Sequence, residues 1–313
     1  MQLNFIILAH KCPEQVRRLI QKLEAPDCFF YIHVDKNVSI DPFIKEMANI
    51  QNVNFVKQRE EGIWGHIGIV QATINSMKQI VSDVKAGHCI LLSGQDYPLK
   101  SNSDIKTYFK NHPNSEFIDV FPLPYKNWSK DRIEKYKFNL SNRKEDFLQI
   151  GSVFENDFFT QKTLKKIYRL IKAGQYDFVC KILKRRKYPS YILPYGGSQW
   201  WALTIDTVKK ITEFIDNNPG FVKYHTYSLL PDEMFFQSIV MYLAEKNQEM
   251  NLMSFLTYAN WERKNCDLPV TFTSNDFEEL SSQPNSKLFA RKFDIAIDEG
   301  ILDKIDIYHS QMN

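Results

Sequence analysis

The segment Leu3-Asn-Phe-Ile-Ile-Leu-Ala9 is an apolar run with the length of a buried strand. It is much shorter than the roughly 20 residues that span a bilayer, and it has neither the basic flank nor the cleavage site of a signal peptide. Pro13 then opens a stretch whose apolar residues repeat at the spacing of one helix face: Val16, Leu19, Ile20 and Leu23. The chain is therefore predicted to open with a strand and a helix.

Strands and helices continue to alternate through residue 100. The predicted elements are the strands Cys28–Val34, 53–56 and His88–Leu92 and the helix 69–81. This alternation is typical of a mainly parallel sheet with helices on both faces. The ligand crevice of such a sheet lies at the carboxyl ends of its strands, and Asp35, Trp64 and Asp96 all fall at such ends.

The composition is that of a soluble globular protein. Of 313 residues, 43% are apolar and 25% are charged, enough to bury a sizeable core. The sequence has 40 Lys and Arg residues and 37 Asp and Glu residues, and the resulting net charge of +3 is too small to indicate nucleic-acid binding. The five cysteines are widely spaced and form no Cys-x-x-Cys pair, which favours a reducing cytosol over a disulfide framework or a zinc site.

Asp35 stands at the end of the second predicted strand, where an acid binds the ribose in many nucleotide-binding sheets. The turn after the first strand, Ala9-His-Lys-Cys-Pro13, has no glycine to admit a pyrophosphate, so a dinucleotide cofactor is disfavoured. An isolated Asp after a strand is also common as a turn or helix-cap residue. Its role stays open on this pattern alone.

Glu233 follows Pro231 and Asp232 at a predicted helix start. Most acids in this position only stabilise the helix, because they lie near the positive end of its dipole. The functional interpretation is a carboxylate that stays ionised and accepts a proton from a hydroxyl nucleophile. Spacing in the sequence leaves both interpretations open.

Arg291 and Lys292 are adjacent cations in an apolar setting, with Leu288-Phe289 before them and Phe293 after them. Two solvated charges are one interpretation; a buried pair would need an anion, and a diphosphate would meet that need. The sequence contains no Asp-x-Asp triplet, the motif with which many nucleotide-sugar transferases hold a divalent metal. Either the chemistry is different or side-chain cations replace the metal.

Other catalytic motifs are absent from the sequence. The seven histidines form no His-Glu-x-x-His or other i,i+4 pair, and neither a Gly-x-Ser-x-Gly motif nor a phosphate-binding Gly-x-x-x-x-Gly-Lys loop occurs. Metal-hydrolase, serine-hydrolase and P-loop chemistry therefore have no support from motifs.

Six segments, taken together, resemble the signature blocks of the core-2/I-branching N-acetylglucosaminyltransferase and peptide O-xylosyltransferase family. They follow the family's order from residue 3 to about residue 298. The segments are Tyr31-Ile-His-Val-Asp35, Gly62-Ile-Trp-Gly65, Leu92-Ser-Gly-Gln-Asp-Tyr-Pro-Leu-Lys100, Ser198-Gln-Trp-Trp-Ala-Leu203, Pro231-Asp-Glu-Met-Phe-Phe236 and Leu288-Phe-Ala-Arg-Lys-Phe-Asp294. One such block would be weak support, and six in order are strong support.

The resemblance implies an α/β fold of the GT-A glycosyltransferase type, a UDP-sugar donor, inversion at the anomeric carbon, and no metal ion or other cofactor. Glu233 matches the family's catalytic base, which deprotonates the acceptor hydroxyl. Arg291 and Lys292 match the cations that stabilise the departing diphosphate, which would explain the missing triplet.

The resemblance also implies the binding residues. The predicted donor-binding residues besides the two cations are Asp35 and Trp64, at uridine-pocket positions, and Asp96, in the loop that faces the donor sugar. The acceptor side is matched more loosely, and its predicted residues are Trp128, Arg132, Trp200, Trp201 and Trp261.

The predicted function is transfer of N-acetylglucosamine or xylose from UDP to a glycan hydroxyl, in surface-polysaccharide synthesis. A catalytically silent UDP-sugar or glycan-binding module is one alternative. A glycoside hydrolase is another, and it needs two carboxylates about 5–9.5 Å apart. Asp232 and Glu233 are sequence neighbours that do not face each other on a helix, so a hydrolase would take its second acid from elsewhere.

One domain over residues 1–313 is predicted, with a nucleotide-binding half at 1–125, an insertion or lid at 126–190, and an acceptor and catalytic half at 191–313. In the last part, Ser198–Leu203 is expected to be a strand, 205–215 a helix, and Pro231 the first turn of another helix. The lid carries Lys184-Arg-Arg-Lys187, interpreted as a solvated face or as a contact with anionic lipid that carries the acceptor. We expect a cytoplasmic enzyme. If the basic run contacts lipid, the enzyme is expected at the inner face of the membrane.

Overall fold

The computed structural model describes residues 1–84, 86–126, 128–144, 146–156 and 158–312, with the backbone alone for Met312. The strands are β1 Leu3–Ala9, β2 Cys28–Val34, β3 Val53–Phe55, β4 His88–Ser93, β5 Asp96–Pro98, β6 Ser115–Phe117, β7 Phe121–Pro122, β8 Tyr136–Asn139, β9 Phe147–Ile150, β10 Tyr195–Gly196, β11 Ala202–Thr204, β12 Asn251–Met253, β13 Thr257–Ala259 and β14 Phe289–Arg291. The helices are α1 Pro13–Leu23, α2 Asp41–Met47, α3 Ile67–Asp83, α4 Asn102–Asn111, α5 Asp131–Glu134, α6 Gln161–Lys172, α7 Tyr176–Ile182, α8 Ile205–Asn217, α9 Pro219–His225, α10 Phe235–Lys246, α11 Phe277–Ser281 and α12 Gly300–Met312. Short 3₁₀ turns lie at Pro231–Glu233 and Ser274–Asp276.

The central sheet has the strand order β12-β6-β11-β4-β1-β2-β3. The strands β4, β1, β2 and β3 are parallel, and β11 alone among the described strands of this sheet runs antiparallel to both neighbours. Because β1, β2 and β4 point the same way, the residues that follow them meet at one edge of the sheet. A second sheet has the strand order β13-β14-β5. It continues from that edge, because β5 begins three residues after β4 ends.

Both faces of the central sheet are buried. Successive side chains of β1 show this, because they belong to different hydrophobic clusters. Phe5 and Ile7 belong to one hydrophobic cluster, together with apolar residues of α1 and α12. Ile6 belongs to a second cluster, with apolar residues of α3, α8 and α10. Successive side chains of a strand point to opposite faces, so a strand covered by helices on both sides is apolar throughout.

The predicted α/β fold class, a mainly parallel sheet with helices on both faces, is confirmed. β1, α1, β2, β4 and α3 lie where the apolar patterns predict them, and β3 and α8 agree within one or two residues at their ends. In the described part of the chain, no helix combines the length and the apolar character that a membrane span requires.

Two predicted elements near the site are wrong in detail. The strand expected at Ser198–Leu203 is only β11, three residues from Ala202, since the residues between β10 and β11 form a loop that begins at Gly197. The helix expected from Pro231 is divided into a 3₁₀ turn and α10, because Met234, at φ −136°, leaves the helical conformation between them. Glu233 is therefore held in a tight turn before the helix.

The insertion at 126–190 is more ordered than its polar sequence predicts. It contains the β8–β9 hairpin and the helices α6 and α7, which enclose a third hydrophobic cluster that includes Leu170. Arg186 joins this unit to the rest of the protein: its guanidinium donates to the carbonyl oxygens of Ile133 (2.9 Å) and Tyr227 (2.8 Å) and to the Ser228 hydroxyl (2.6 Å). Burial lowers its pKa.

Replacing Arg186 by Met is expected to reduce the free energy of unfolding by about 3 kcal/mol, because one buried and two partly buried acceptors lose a charged donor. Arg185→Met is the matched control, since Arg185 is exposed, and its effect should stay within about 0.5 kcal/mol. Urea titrations of both variants measure the difference. Equal effects of the two changes would contradict the role given to Arg186.

Candidate active site

The loop that follows β2 is tied to the loop that follows β3. The Asp35 carboxylate accepts hydrogen bonds from the backbone N–H groups of Asn37 (2.8 Å) and Gly62 (2.7 Å). A Cβ atom on Gly62 would lie 2.7 Å from the Asp35 oxygen that accepts the Gly62 N–H, so the close approach of the two loops requires glycine. This contact holds Asp35 and the segment Gly62–Gly65 at one side of the crevice.

Trp64 lies in that segment and is half-buried. Lys137, from strand β8, donates to the carbonyl oxygens of Trp64 (3.3 Å) and Gly65 (2.7 Å). The ammonium group is buried, and burial lowers its pKa to about 8, opposed by the negative charge of Asp232. Lys137 thus connects the hairpin of the insertion, the Trp64 loop and the Glu233 turn.

Arg291 is held by one carboxylate and one aromatic ring. Its Nε lies 3.6 Å from an Asp96 oxygen, and its Cζ lies 3.9 Å from the centroid of the Trp200 ring. Asp96 is fully buried and also accepts from the Ser93 N–H (2.6 Å) and hydroxyl (3.1 Å). The buried Nη1 of Arg291 has no hydrogen-bond partner within the described ranges. A buried guanidinium nitrogen without a partner is a donor suited to an anion.

Lys292 continues the positive charge toward β1. Burial lowers its pKa, and the charges of Arg291, Lys11 and Lys144 lower it further. His10 follows β1 directly. Its pKa is lowered by burial and then by the charges of Lys11 and Lys292, which are close enough to act on it. Lys11 itself forms an ion pair with Asp294 (2.5 Å). The crevice at this edge of the sheet is therefore cationic through Arg291 and Lys292.

Glu233 faces a cation of the insertion. Its Oε2 accepts a hydrogen bond of 2.8 Å from Nη1 of Arg132, and both side chains keep some exposure to solvent. Burial raises the pKa of Glu233, and Arg132 opposes that increase. The guanidinium of Arg132 is stacked on Trp128, with its Cζ 3.7 Å from the ring centroid. Trp128 and Arg132 thus form a flat wall beside the carboxylate.

Asp232 is buried directly behind Glu233. Its Oδ1 has no hydrogen-bond partner within the described part of the chain. Burial and then the charge of Glu233 raise its pKa to about 7, against the opposing charges of Arg132 and Lys137. The charge of Asp232 also raises the pKa of Arg291, against the stronger effect of burial. Asp232 is therefore the acid between the two halves of the site.

Comparison with known proteins identifies the family. A family profile described as "Core-2/I-Branching enzyme" matches residues 3–281, which is most of the chain. The chain belongs to the Core-2/I-branching enzyme family. The predicted family is confirmed, and the predicted enzyme class, glycosyltransferase, agrees with it.

Curated relatives of this Core-2/I-branching chain include xylosyltransferases. Human xylosyltransferase 1 is 23% identical over 98% of this chain and 30% of its own length. Rat xylosyltransferase 2 is 23% identical over 98% of this chain and 34% of its own length. The chain thus spans about a third of the length of these relatives.

Solved structures give only distant similarity. A 4-diphosphocytidyl-2C-methyl-D-erythritol synthase from Anaerococcus prevotii has a TM-score of 0.38 and 9% identity, covering 90% of this chain and 95% of its own. UDP-glucose pyrophosphorylase from Leishmania major has a TM-score of 0.28 and 9% identity, covering 70% and 52%. Scores this low carry no argument about the site.

The remaining predicted residues occupy different environments. Trp200 lies beneath Arg291 and Trp201 packs against Phe236, and both are buried in the hydrophobic core. Trp261 is 59% exposed, two residues beyond Ala259, which pairs with Arg291 across β13 and β14. The structure therefore brings together the predicted donor residues, Glu233, Arg132 and Trp128, and it leaves Trp261 at the rim.

Sequence reasoning missed Lys137 and the pair His10 and Lys11. Lys137 stands in the alternating segment Tyr136-Lys-Phe138, a weak strand signal within a polar region. His10 and Lys11 follow β1 directly, so their position at the carboxyl edge was a signal that could have found them. In the described residues, no group of three or more His, Cys, Asp or Glu side chains could hold a metal ion, and metal independence stays a prediction.

Replacing Asp232 by Asn is expected to stabilise the protein progressively as pH rises from about 4 to about 8. Folding raises the pKa of Asp232 to about 7, so the native state retains a proton that the unfolded chain releases near its ordinary pKa. Wild-type stability therefore decreases as pH rises through this window, and Asn removes the effect. Urea unfolding at intervals of pH measures it.

The exposed Asp177 provides the control variant, Asp177→Asn. A stability difference between Asp232→Asn and the wild type that is the same at pH 4 and pH 8 would contradict the buried, protonated state of Asp232.

Proposed function

We propose that this protein is an inverting glycosyltransferase that transfers a sugar from a UDP-sugar to a glycan hydroxyl without a metal ion. One observation supports this most strongly: the loop before β11 contacts both Glu233 and Arg291. The Gly197 N–H donates to the carbonyl oxygen of Glu233 (3.0 Å), and Trp200 of the same loop stacks on the guanidinium of Arg291. A partly exposed carboxylate and an incompletely paired guanidinium are thereby held in one crevice.

The reaction is a single displacement. Glu233 takes the proton of the acceptor hydroxyl while the hydroxyl oxygen forms a bond to C1 of the donor sugar. The bond from C1 to the diphosphate oxygen breaks on the opposite side, and its electron pair leaves with UDP. Attack opposite to the leaving group inverts the anomeric carbon, and it requires the two reacting atoms to be held about 3 Å apart.

The charge that develops on UDP calls for fixed cations. Arg291 supplies Nη1, which has no hydrogen-bond partner within the described ranges, and Lys292 adds positive charge beside it. Burial around Arg291 makes such a charge more effective than it would be in water, because the local dielectric constant is low. Asp96 and Trp200 fix the guanidinium, so little reorganisation accompanies the reaction.

The base role of Glu233 is supported by its environment. Burial raises the pKa of Glu233, so the carboxylate is a stronger base than an exposed Glu. The bond from Arg132 opposes that increase in pKa and fixes the direction of the carboxylate. Both effects suit a group that accepts a proton at neutral pH.

The acceptor is a glycan on the side of Trp128, Arg132 and Trp261. The stacked pair Trp128 and Arg132 offers a flat wall next to Glu233, and flat aromatic surfaces suit sugar rings. The names of the curated relatives favour xylose as the first donor to test, with N-acetylglucosamine as the second. A role in surface-polysaccharide synthesis and a cytoplasmic location belong to the same proposal.

The alternative of a catalytically silent UDP-sugar or glycan-binding module predicts UDP binding without turnover. The hydrolase alternative has a weaker basis, because Asp232 is buried behind Glu233 with a raised pKa and does not extend across the crevice as a second exposed acid. Turnover measurements distinguish all three.

Replacing Glu233 by Gln is expected to reduce kcat by about 10²–10⁴-fold, because the amide cannot accept the acceptor proton. Binding of UDP should change little, since Gln keeps the size of the side chain. The control is Glu134→Gln, an exposed acid in the same α5 helix as Arg132. Released UDP and calorimetric UDP affinity are measured, and wild-type turnover by Glu233→Gln would disprove the base assignment.

A panel of UDP-sugars, scored by UDP release with and without EDTA, tests the donor and the metal together. UDP release is expected with UDP-xylose or UDP-N-acetylglucosamine, at the same rate in EDTA. Arg291→Met should lower that rate by about 10²–10³-fold, because one preorganised donor to the developing charge is lost.

Two outcomes of this panel have separate meanings. Activity that EDTA abolishes and manganese restores would overturn metal independence while leaving the transferase proposal intact. UDP binding with no turnover of any donor would favour the silent module.

A further inference from the structure

Helix α6 has a wide apolar stripe, and only part of it packs against the core. Ile167 and Leu170 pack against the third hydrophobic cluster. Leu164, Tyr168 and Ile171 are spaced i, i+4 and i+7, so they lie within an arc of about 60° beside that inward stripe. These three side chains are between 43% and 65% exposed. We name them the outer face of α6.

The outer face does not stand alone. Phe159, just before the helix, is 76% exposed, and Leu183, just after α7, is also exposed. Scattered apolar side chains on a surface are normal, but a contiguous group on one helix usually marks an interaction site. The segment 158–193 therefore leaves a large apolar area uncovered.

The charge of this segment is extreme. Residues 158–193 contain ten Lys and Arg residues and one acidic residue, Asp177, a net charge of +9 in a chain whose total is only +3. Lys165, Arg169 and Lys172 are exposed on α6 itself, adjacent to the outer face. The partner that matches such a surface carries negative charge next to an apolar layer.

Other partners fit less well. Two copies of this surface in a symmetric dimer would bring two clusters of positive charge together, which is unfavourable. A nucleic acid would use the cations, but exposed Leu164 and Ile171 gain nothing from a phosphate backbone. A lipid boundary satisfies both features, because leucine and isoleucine enter the acyl region while Lys and Arg stay at the headgroups.

The surface is firmly attached to the candidate site. Arg186, between the exposed Arg185 and Lys187, is turned inward and holds Ile133, the residue after Arg132. The Tyr136 hydroxyl donates to the carbonyl oxygen of Lys184 (3.1 Å), next to Lys137 in strand β8. Binding through α6 would thus hold the acceptor side of the crevice close to the bound surface.

We propose that the outer face of α6 and the basic residues beside it form a peripheral membrane-binding surface for a bilayer with anionic headgroups. The chain lies on such a surface with α6 parallel to it. This inference is independent of the proposed reaction, because binding to lipid is measured without a sugar donor.

Flotation with vesicles tests it on the 313-residue chain. Binding is expected to vesicles of phosphatidylglycerol and phosphatidylcholine and to be at least 10-fold weaker with phosphatidylcholine alone. The triple change Lys162→Glu, Lys165→Glu and Arg169→Glu should reduce the partition coefficient by about 100-fold or more, since each basic residue near an anionic surface contributes about fivefold. Leu164→Gln, Tyr168→Gln and Ile171→Gln together should weaken binding by at least 10-fold while leaving the charge unchanged.

The matched control is Lys45→Glu, Lys57→Glu and Lys110→Glu, which changes the net charge equally at exposed positions outside the segment. Wild-type-like binding of this control supports the proposal, and a loss equal to that of the α6 triple overturns it. Absence of wild-type binding to anionic vesicles also overturns it, as does self-association that the glutamine variant abolishes without any lipid binding. Thermal unfolding of each variant shows that the fold is kept.

Discussion

A buried guanidinium must have partners, and the pairing of Arg291 with Asp96 is the constraint on which this site depends. The register of β14 against β5 places the two residues opposite each other, so the carboxy-terminal part of the chain is fixed to the end of β4. Trp200, from the segment before β11, closes the other side of the guanidinium. Three distant segments are thereby held at one point, and the cationic crevice exists because they meet there.

The other half of the site depends on the turn that carries Asp232 and Glu233. Leu230 is in the left-handed conformation at φ 50°, and Pro231 follows it, so the turn is rigid before α10 begins. Its two acids have different surroundings. Asp232 is buried in the protein, and Glu233 forms an ion pair with Arg132 at the crevice. The insertion supplies Arg132 and Lys137, so the turn with Asp232 and Glu233 and the insertion are one electrostatic unit.

The sequence predicted most of the frame and part of the site, for physical reasons that can be separated. β1, β2, β4 and α3 were predictable because each is a local apolar pattern. The β8–β9 hairpin was not, because its strands are four residues long and Lys137 breaks the apolar run; the burial of that lysine depends on Trp64 and Asp232, far away in the chain. The apolar neighbours of Arg291 indicated burial, but its partner Asp96 could only be found in the fold.

The distribution of charge connects the two ends of the molecule. Outside residues 158–193 the chain carries a net charge of −6. The surplus of positive charge is therefore concentrated in this segment of the insertion, apart from the adjacent cations Arg291 and Lys292 in the crevice. Arg186 belongs to this segment by sequence and to the interior by contact. Its bonds to Ile133 and Tyr227 join the end of the insertion to the segment that carries Arg132.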